Sequence, residues 1–208
     1  MMSMIIAIAG ASASGKTLFV DNLIAKLSKQ LEAGSVCRLQ EDAYYKDQTD
    51  LAFSERESVN YDHPSAFDHA LLCEHLQSLS SGVTVEQPVY DFARHTRAAH
   101  TETVTAGKVI LIDGILLLAD RELRDLFDIK LFVDTPLDIC LARRIKRDVD
   151  ERGRTLDSVL TQFEQTVRPM YFEYVSPSRV HADVVVNRGG MNQIAVDMVM
   201  QTILNELA

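Results

Sequence analysis

The chain has 208 residues, 47% of them hydrophobic and 25% charged, with a formal charge of −9. That is the make-up of a single globular domain, residues 1–208, with enough apolar mass for a substantial core. The acidic balance argues against broad binding to nucleic acid or anionic membranes, and the longest apolar stretch, the eleven residues Val109–Ala119 around Asp113, is too short to span a bilayer.

In chain order, the first element is an apolar run over 4–9, suited to a buried parallel strand. It leads into Gly10-Ala11-Ser12-Ala13-Ser14-Gly15-Lys16-Thr17, which matches G-x-x-x-x-G-K-S/T at every fixed position. A helix over 16–31 follows, with Leu18, Leu23, Leu27 and Leu31 at helical spacing and Gly34 behind it. Strand, glycine loop and helix are the setting that this phosphate-binding motif needs. Gly10 and Gly15 let successive N–H groups turn inward, Lys16 brings a charge to the β/γ-phosphates, and the Thr17 hydroxyl is a ligand for Mg²⁺.

A second strand over 35–40 leads to Glu41-Asp42. Just past a strand end, Asp42 is either an ordinary turn acid or a group placed to orient an acceptor hydroxyl and take its proton. A helix fits 66–80, with Ser65 as N-cap and Asp68 as the acid at the third position. Residues 84–105, around Pro88, are short alternating pieces with basic and aromatic side chains, and read as a small antiparallel excursion outside the main sheet. His95 within it is a site candidate. His63, His69 and His75 recur every six residues, which does not share one helical face, so no zinc site is expected; His100 and His181 read as surface residues.

The strand over 108–113 is apolar until Asp113, where a second carboxylate beside a phosphate loop meets Mg²⁺ directly or through water. A helix over 120–126, a strand over 128–133 and a helix over 136–149 follow. Thr135 as cap, Pro136 at the first helical position and Asp138 in the first turn mark the start of the last. Between Arg143 and Arg154, six basic residues (Arg143, Arg144, Lys146, Arg147, Arg152, Arg154) meet three acids, a local surplus in an acidic chain. A solvated helix with pairs such as Arg144–Asp148 is the plain explanation. A lid over 143–157, hinged at Gly153 and closing guanidinium forks on a triphosphate, fits better. Helices over 156–166 and 191–206 flank a strand over 182–186.

The alternation is that of an α/β fold with a parallel sheet flanked by helices, and the loops after 9, 40 and 113 should converge on one crevice. The first residues lack the charged-then-apolar layout of a signal peptide. Three scattered cysteines (Cys37, Cys73, Cys140) form no C-x-x-C pair, so reduced thiols and a cytoplasmic protein are expected.

Eight separated blocks, in order, resemble the uridine–cytidine kinase family of P-loop kinases. They are Glu-Asp-Ala-Tyr-Tyr-Lys-Asp (41–47), Asn-Tyr-Asp-His-Pro (60–64), Pro-Val-Tyr-Asp-Phe (88–92) with His95-Thr96-Arg97, Asp-Gly-Ile-Leu-Leu-Leu (113–118), Arg-Arg-Ile-Lys-Arg-Asp (143–148), Glu-Arg-Gly-Arg (151–154), Thr-Val-Arg-Pro-Met (166–170) and Ala-Asp-Val-Val-Val (182–186). The resemblance implies a P-loop kinase-like fold and Mg²⁺-dependent phosphoryl transfer from ATP or GTP to the 5′-hydroxyl of uridine or cytidine, giving UMP or CMP in pyrimidine salvage. It implies Asp42 as catalytic base, Asp62 and Arg144 on the ribose hydroxyls, and Tyr90, His95 and Arg154 around the base. Gln162 falls on a further nucleoside-site position, and Arg147 and Arg152 become lid cations on the phosphates. It also implies a homotetramer inhibited by UTP and CTP.

Two positions depart from the family pattern: Ala13 stands where glycine is usual, and Asp113 where Glu is usual. The shorter Asp113 carboxylate leaves room for an extra water toward Mg²⁺. Another P-loop kinase, of the pantothenate kinase or phosphoribulokinase type, and a nucleotide switch without an acceptor are the rival readings. The 88–95 block opposes the first, and Asp42 with a basic lid opposes the second.

Overall fold

A computed structural model describes residues 3–207. In chain order the strands are β1 (Met4–Gly10), β2 (Val36–Gln40), β3 (Val85–Asp91), β4 (Thr96–Val104), β5 (Val109–Gly114), β6 (Ile129–Asp134) and β7 (Val184–Asn187). Five form one parallel sheet in the order β2-β5-β1-β6-β7, and β3 pairs with β4 as a separate antiparallel hairpin, the expected excursion. The helices are α1 (Lys16–Leu27), α2 (Phe53–Glu57), α3 (His69–Ser80), α4 (Arg121–Arg124), α5 (Leu137–Asp150), a rod α6 over 156–178, and α7 (Gln193–Glu206). None is long and apolar enough to cross a membrane, among the described residues.

The central strands β1 and β5 read as apolar runs, up to Asp113 in β5, because both faces of the sheet are covered there. Successive side chains point to opposite faces. Ile5, Ala7, Ile110, Ile112 and Phe132 pack with Leu72 and Leu76 of α3 on one side. Ile6, Ile8, Leu111, Leu131 and Val133 pack with α1 and with Val196 and Ile203 of α7 on the other. Asp113 stands level with both Ile8 and Gln40 across the strands, so β1, β2 and β5 end together. The strand order reverses at β1, and a crevice opens at its carboxyl end, where ligands bind in such sheets.

Several expected boundaries move, each because a tertiary contact outweighs a local signal. In α1, Leu18 is exposed and Phe19 and Val20 carry the buried face instead. Helix α3 starts at His69, capped by Asp68 through Leu71 N–H rather than by Ser65. Phe67 is extended and bridges to Tyr45, which cuts the helix off from the 3-10 turn Pro64–Ala66. Thr135 does not cap α5. Pro136 is extended and takes the cap position, and the Thr135 hydroxyl donates to Ser14 O at 2.9 Å. The expected helix end at 166 is passed: α6 widens into π-turns at Phe163–Val167 and Tyr171–Val175, immediately before Pro169 and Pro177. A wider turn accommodates the ring and the missing N–H of each proline without ending the helix.

Gly114 shows how tightly the strand ends are packed, since a Cβ there would lie 2.2 Å from Glu41 Oε2 and 2.5 Å from Glu41 Cβ. Gly114→Ala is therefore expected to cost about 3 kcal/mol in urea unfolding, the upper range for overpacking a core. Gly82→Ala, where φ is +85° and the space is open, should cost only about 1 kcal/mol of left-handed strain; equal losses would show that Glu41 yields.

Candidate active site

The phosphate loop joins β1 to α1. Gly10 (φ +148°) and Gly15 (φ +98°) adopt backbone forms that side chains resist, and a Cβ on Gly10 would sit 2.6 Å from Val133 O. Ala13 adopts φ +62° without being glycine, so the loop carries strain at the position where the sequence departs from the family. Lys16 is buried and its Nζ donates to Ala11 O at 2.9 Å, arching back over the loop. Burial pulls its ammonium below the usual lysine range, opposed by Asp113, Asp42 and Glu41. Such a cation has much to gain from a phosphate oxygen.

Thr17 is the second residue of α1 and Asp113 the last but one of β5, and the Thr17 hydroxyl donates to Asp113 Oδ2 at 3.4 Å. Hydroxyl and carboxylate oxygens are the donors Mg²⁺ prefers. No group of three or more His, Cys, Asp or Glu side chains could hold a metal alone, among the described residues. A site built on the Thr17 oxygen, with the Asp113 carboxylate reached directly or through water and phosphate completing it, fits this donor set.

Asp42 lies two residues past the end of β2, in the 3-10 turn Glu41–Tyr44, and faces the crevice. Burial pushes its carboxyl up to about 6, opposed by Lys16 and reinforced by Glu41 and Asp113. Glu41 points the other way and is fully buried. Its Oε2 accepts from Ile115 N (2.6 Å) and Leu116 N (2.9 Å), and its Oε1 lies 3.0 Å from His69 Nε2. His69 Nδ1 in turn lies 3.2 Å from Asp120 Oδ2. Burial favours the neutral imidazole, but the two carboxylates outweigh it and raise the His69 pKa.

The β3–β4 hairpin hooks onto the segment after Asp42. Arg97 Nε donates to Tyr45 O at 2.8 Å, and Thr96 Oγ1 donates to Asp47 and accepts from Gln48 N. A bulge between Pro88 and Tyr90 turns Tyr90 toward Tyr45, ring centroids 4.8 Å apart. The Tyr90 hydroxyl is buried with no hydrogen-bond partner among the described residues. His95, at φ +52°, stacks on Tyr61 at 5.6 Å and 24°. Its pKa is lowered, first by burial. Asp62 is buried, which raises its carboxyl pKa against the pull of Arg144.

The basic run forms the opposite wall. Four of its arginines converge on Asp148, which is fully buried: Arg147 Nε at 2.8 Å, Arg144 Nε at 3.5 Å, Arg152 Nη1 at 3.6 Å and Arg154 Nη1 at 3.7 Å. Arg144 also donates to Ser12 Oγ and, together with Arg154, to Gln162 Oε1. Arg152 lies 4.7 Å from the centroid of Phe92, so this wall reaches the hairpin.

All of these elements face one cavity of about 1340 Å³, bordered by Lys16, Asp42, Asp62, Tyr90, His95 and Arg154 among others. Asp113, Arg144, Arg147, Arg152 and Gln162 also line it. The sequence reading left four residues without a part: Glu41, His69, Arg38 and Asp148. The last had only been paired with Arg144 along one helix. A charged residue inside an apolar strand and the first of three acids inside a basic run are the available signals.

Comparison with known proteins identifies the family. The model of the phosphoribulokinase/uridine kinase family matches residues 5–195. The chain is 54% identical to a uridine kinase of Escherichia coli over 194 residues, 93% of this chain and 91% of that one. It is 52% identical to a uridine kinase of Shewanella putrefaciens over 204 residues, 98% and 96% of the two chains. Among solved structures, that of a possible uridine kinase from Bacillus stearothermophilus superposes with a TM-score of 0.60 at 22% identity, covering 89% of each chain; at that identity the likeness is one of fold.

The strain at Ala13 is measurable. Ala13→Gly removes a left-handed cost of roughly 1 kcal/mol and adds about half as much chain entropy. The melting midpoint of the ligand-free protein is expected to rise by about 1–3 °C. A fall would mean that the loop holds Ala13 without strain.

Proposed function

The chain belongs to the phosphoribulokinase/uridine kinase family, and from that premise we propose that it is a uridine kinase, transferring the terminal phosphoryl group of a nucleoside triphosphate to the 5′-hydroxyl of uridine for salvage. The observation that carries this reading is the single cavity into which the phosphate loop, Asp42 and the Tyr90–His95 hairpin all open. The reading extends to cytidine as a second acceptor, ATP or GTP as donor, feedback binding of UTP or CTP, a homotetramer, and a cytoplasmic setting. The whole chain serves as one catalytic unit.

In this mechanism the loop from Gly10 to Thr17 and Lys16 cradle the donor phosphates. Thr17 and Asp113 would hold Mg²⁺, whose charge offsets that of the β- and γ-phosphates. Asp62 and Arg144 hold the ribose hydroxyls, while Tyr90, His95, Arg154 and Gln162 bound the base. Asp42 orients the 5′-hydroxyl and takes its proton, a role suited to a carboxyl held near the working pH. Arg147 and Arg152 move from Asp148 onto the transferring phosphoryl group. Positioning and electrostatic stabilisation then supply most of the rate, because the transferring group needs little covalent help. Consumption of ATP and GTP with Mg²⁺ across a nucleoside panel tests the reading directly. Turnover confined to uridine and cytidine supports it, and equal turnover without any nucleoside would refute it.

The elevated Asp42 carboxyl gives a signed pH prediction. A base must be ionised, so kcat/KM should fall as pH drops below about 6. The folded pKa lies above the usual Asp value of about 3.9, so the folded chain holds the proton more tightly than the unfolded one. The destabilising cost of ionising Asp42 is absent below the unfolded value and complete above about 6. Asp42→Asn should therefore melt higher than the parent at pH 8 but not at pH 4, keep nucleotide binding, and lose about 10²–10⁴ in turnover. Near-normal kcat would remove Asp42 from the base role.

His95 bears on acceptor choice. A neutral imidazole donates from one nitrogen and accepts at the other, and the lowered pKa of His95 keeps it neutral near pH 7. It is thus able to meet either the uracil O4 acceptor or the cytosine N4 donor. His95→Ala should lower kcat/KM by about tenfold or more for both nucleosides, the effect of losing a buried hydrogen bond. Unchanged efficiency for both would end the idea.

A further inference from the structure

Arg38 stands in the middle of β2, and its guanidinium is divided between two carboxylates. Nη1 donates to Asp21 Oδ1 of α1 at 2.8 Å, while Nε (3.2 Å) and Nη2 (2.9 Å) both donate to Asp113 Oδ1. Thr17 Oγ1 donates to the other oxygen, Asp113 Oδ2. Both oxygens of Asp113 are thus engaged within the chain, one of them by two N–H groups. Asp113 is buried, and the Arg38 side chain keeps only 23% of its surface. Arg38 is not part of the cavity wall, and the phosphoryl-transfer roles set out above do not use it. Its place inside the strand is explained by the buried anion beside it, since a buried charge is costly unless paired.

A guanidinium and a divalent cation compete for the same carboxylate. With its charge already shared with Arg38, Asp113 has less to offer a metal ion, and Mg²⁺ gives up its waters reluctantly. We propose that Arg38 is a positioning residue of the metal site. It holds Asp113 back, so that the carboxylate meets the metal ion through a bound water instead of entering its coordination shell, and it thereby sets how tightly divalent cation binds beside nucleotide. The inference rests on the assignment of Thr17 and Asp113 to the metal.

The test is titration of Mn²⁺ into the full chain with ADP. Free Mn²⁺ is followed by electron paramagnetic resonance, and water on bound Mn²⁺ is counted by proton relaxation. With Arg38 present, Asp113→Asn should change the Mn²⁺ affinity by less than about threefold, and Arg38→Met should tighten it about tenfold and remove one water, as expected when a hard cation gains a carboxylate. Adding Asp113→Asn to Arg38→Met should undo both effects. Arg38→Lys keeps the charge without the fork, should fall between, and replaces the Met variant if that one does not fold. A loss of about tenfold or more for Asp113→Asn alone, or no change for Arg38→Met and Arg38→Lys, overturns the proposal. Thr17→Ala separates the two levels. If it binds Mn²⁺ as the parent does, the metal assignment falls and this inference with it; if it weakens binding while the Arg38 variants do nothing, only the role of Arg38 falls.

Discussion

The site is organised around a carboxylate that faces away from it. Glu41 takes the N–H groups of Ile115 and Leu116 on one oxygen and His69 on the other. It is thereby a rivet between the end of β2 and the turn after β5. Its neighbour in sequence is Asp42, and Asp113 is the last residue but one of the strand before the riveted turn, so one buried acid sets the spacing between the proposed base and the proposed metal-facing carboxylate. A buried carboxylate persists only where its lone pairs are satisfied. The two backbone donors and a histidine held by Asp120 meet that condition. Gly114 leaves room for Glu41 because it has no Cβ. The catalytic geometry is thus supported by polar contacts in the least accessible part of the molecule.

The opposite wall of the cavity follows a different rule. Four guanidiniums around Asp148 repel one another, and one carboxylate offsets only part of that charge. Arg144 Nε and Asp148 Oδ2 lack a hydrogen-bond partner among the described residues, so the cluster is held by charge more than by directed bonds. Such a cluster is a standing attraction for an anion with several oxygens, because planar forks exchange readily between carboxylate and phosphate. Asp148 keeps the arginines gathered. The Arg152 contact with Phe92 ties that gathering to the hairpin, so the two halves of the cavity are mechanically adjacent.

Much of this was legible from residues alone, and the pattern of success is physical. Buried parallel strands and the phosphate loop declare themselves locally, by an apolar run and by glycines at a fixed spacing, and all five sheet strands fall where expected within a residue or two. Asp42, Asp113 and the 143–154 run were visible because strand ends and charge surpluses are features of short windows. What escaped depends on contacts across many residues. Thr135 looks like a cap until Ser14 O needs a donor, Ser65 looks like one until Phe67 pairs with Tyr45, and Pro169 looks like a stop until the helix widens before it. His69 was read only as a failed zinc ligand, because its partners lie 28 and 51 residues away.

The site is also uncomfortable in a consistent direction. Ala13 is held left-handed, Lys16 is buried below its usual pKa, Asp42 is held above its own, and the arginines crowd a single acid. Each is the kind of departure that persists only when the surrounding structure over-determines it. The doubly covered sheet does so, with strand ends locked in register by Glu41 on one side and by Thr135 on the other. Most of these departures have the same remedy. Under the proposed function a triphosphate would supply anionic oxygens for Lys16 and the arginines, and an acceptor hydroxyl would offer Asp42 a hydrogen bond. Arg38 is the exception: it pairs with Asp113 within the chain, so that corner of the site is satisfied by the protein's own groups. The site therefore combines a pre-paired corner with a strained phosphate cradle, and the difference between them decides which contacts ligands must exchange and which they find in place.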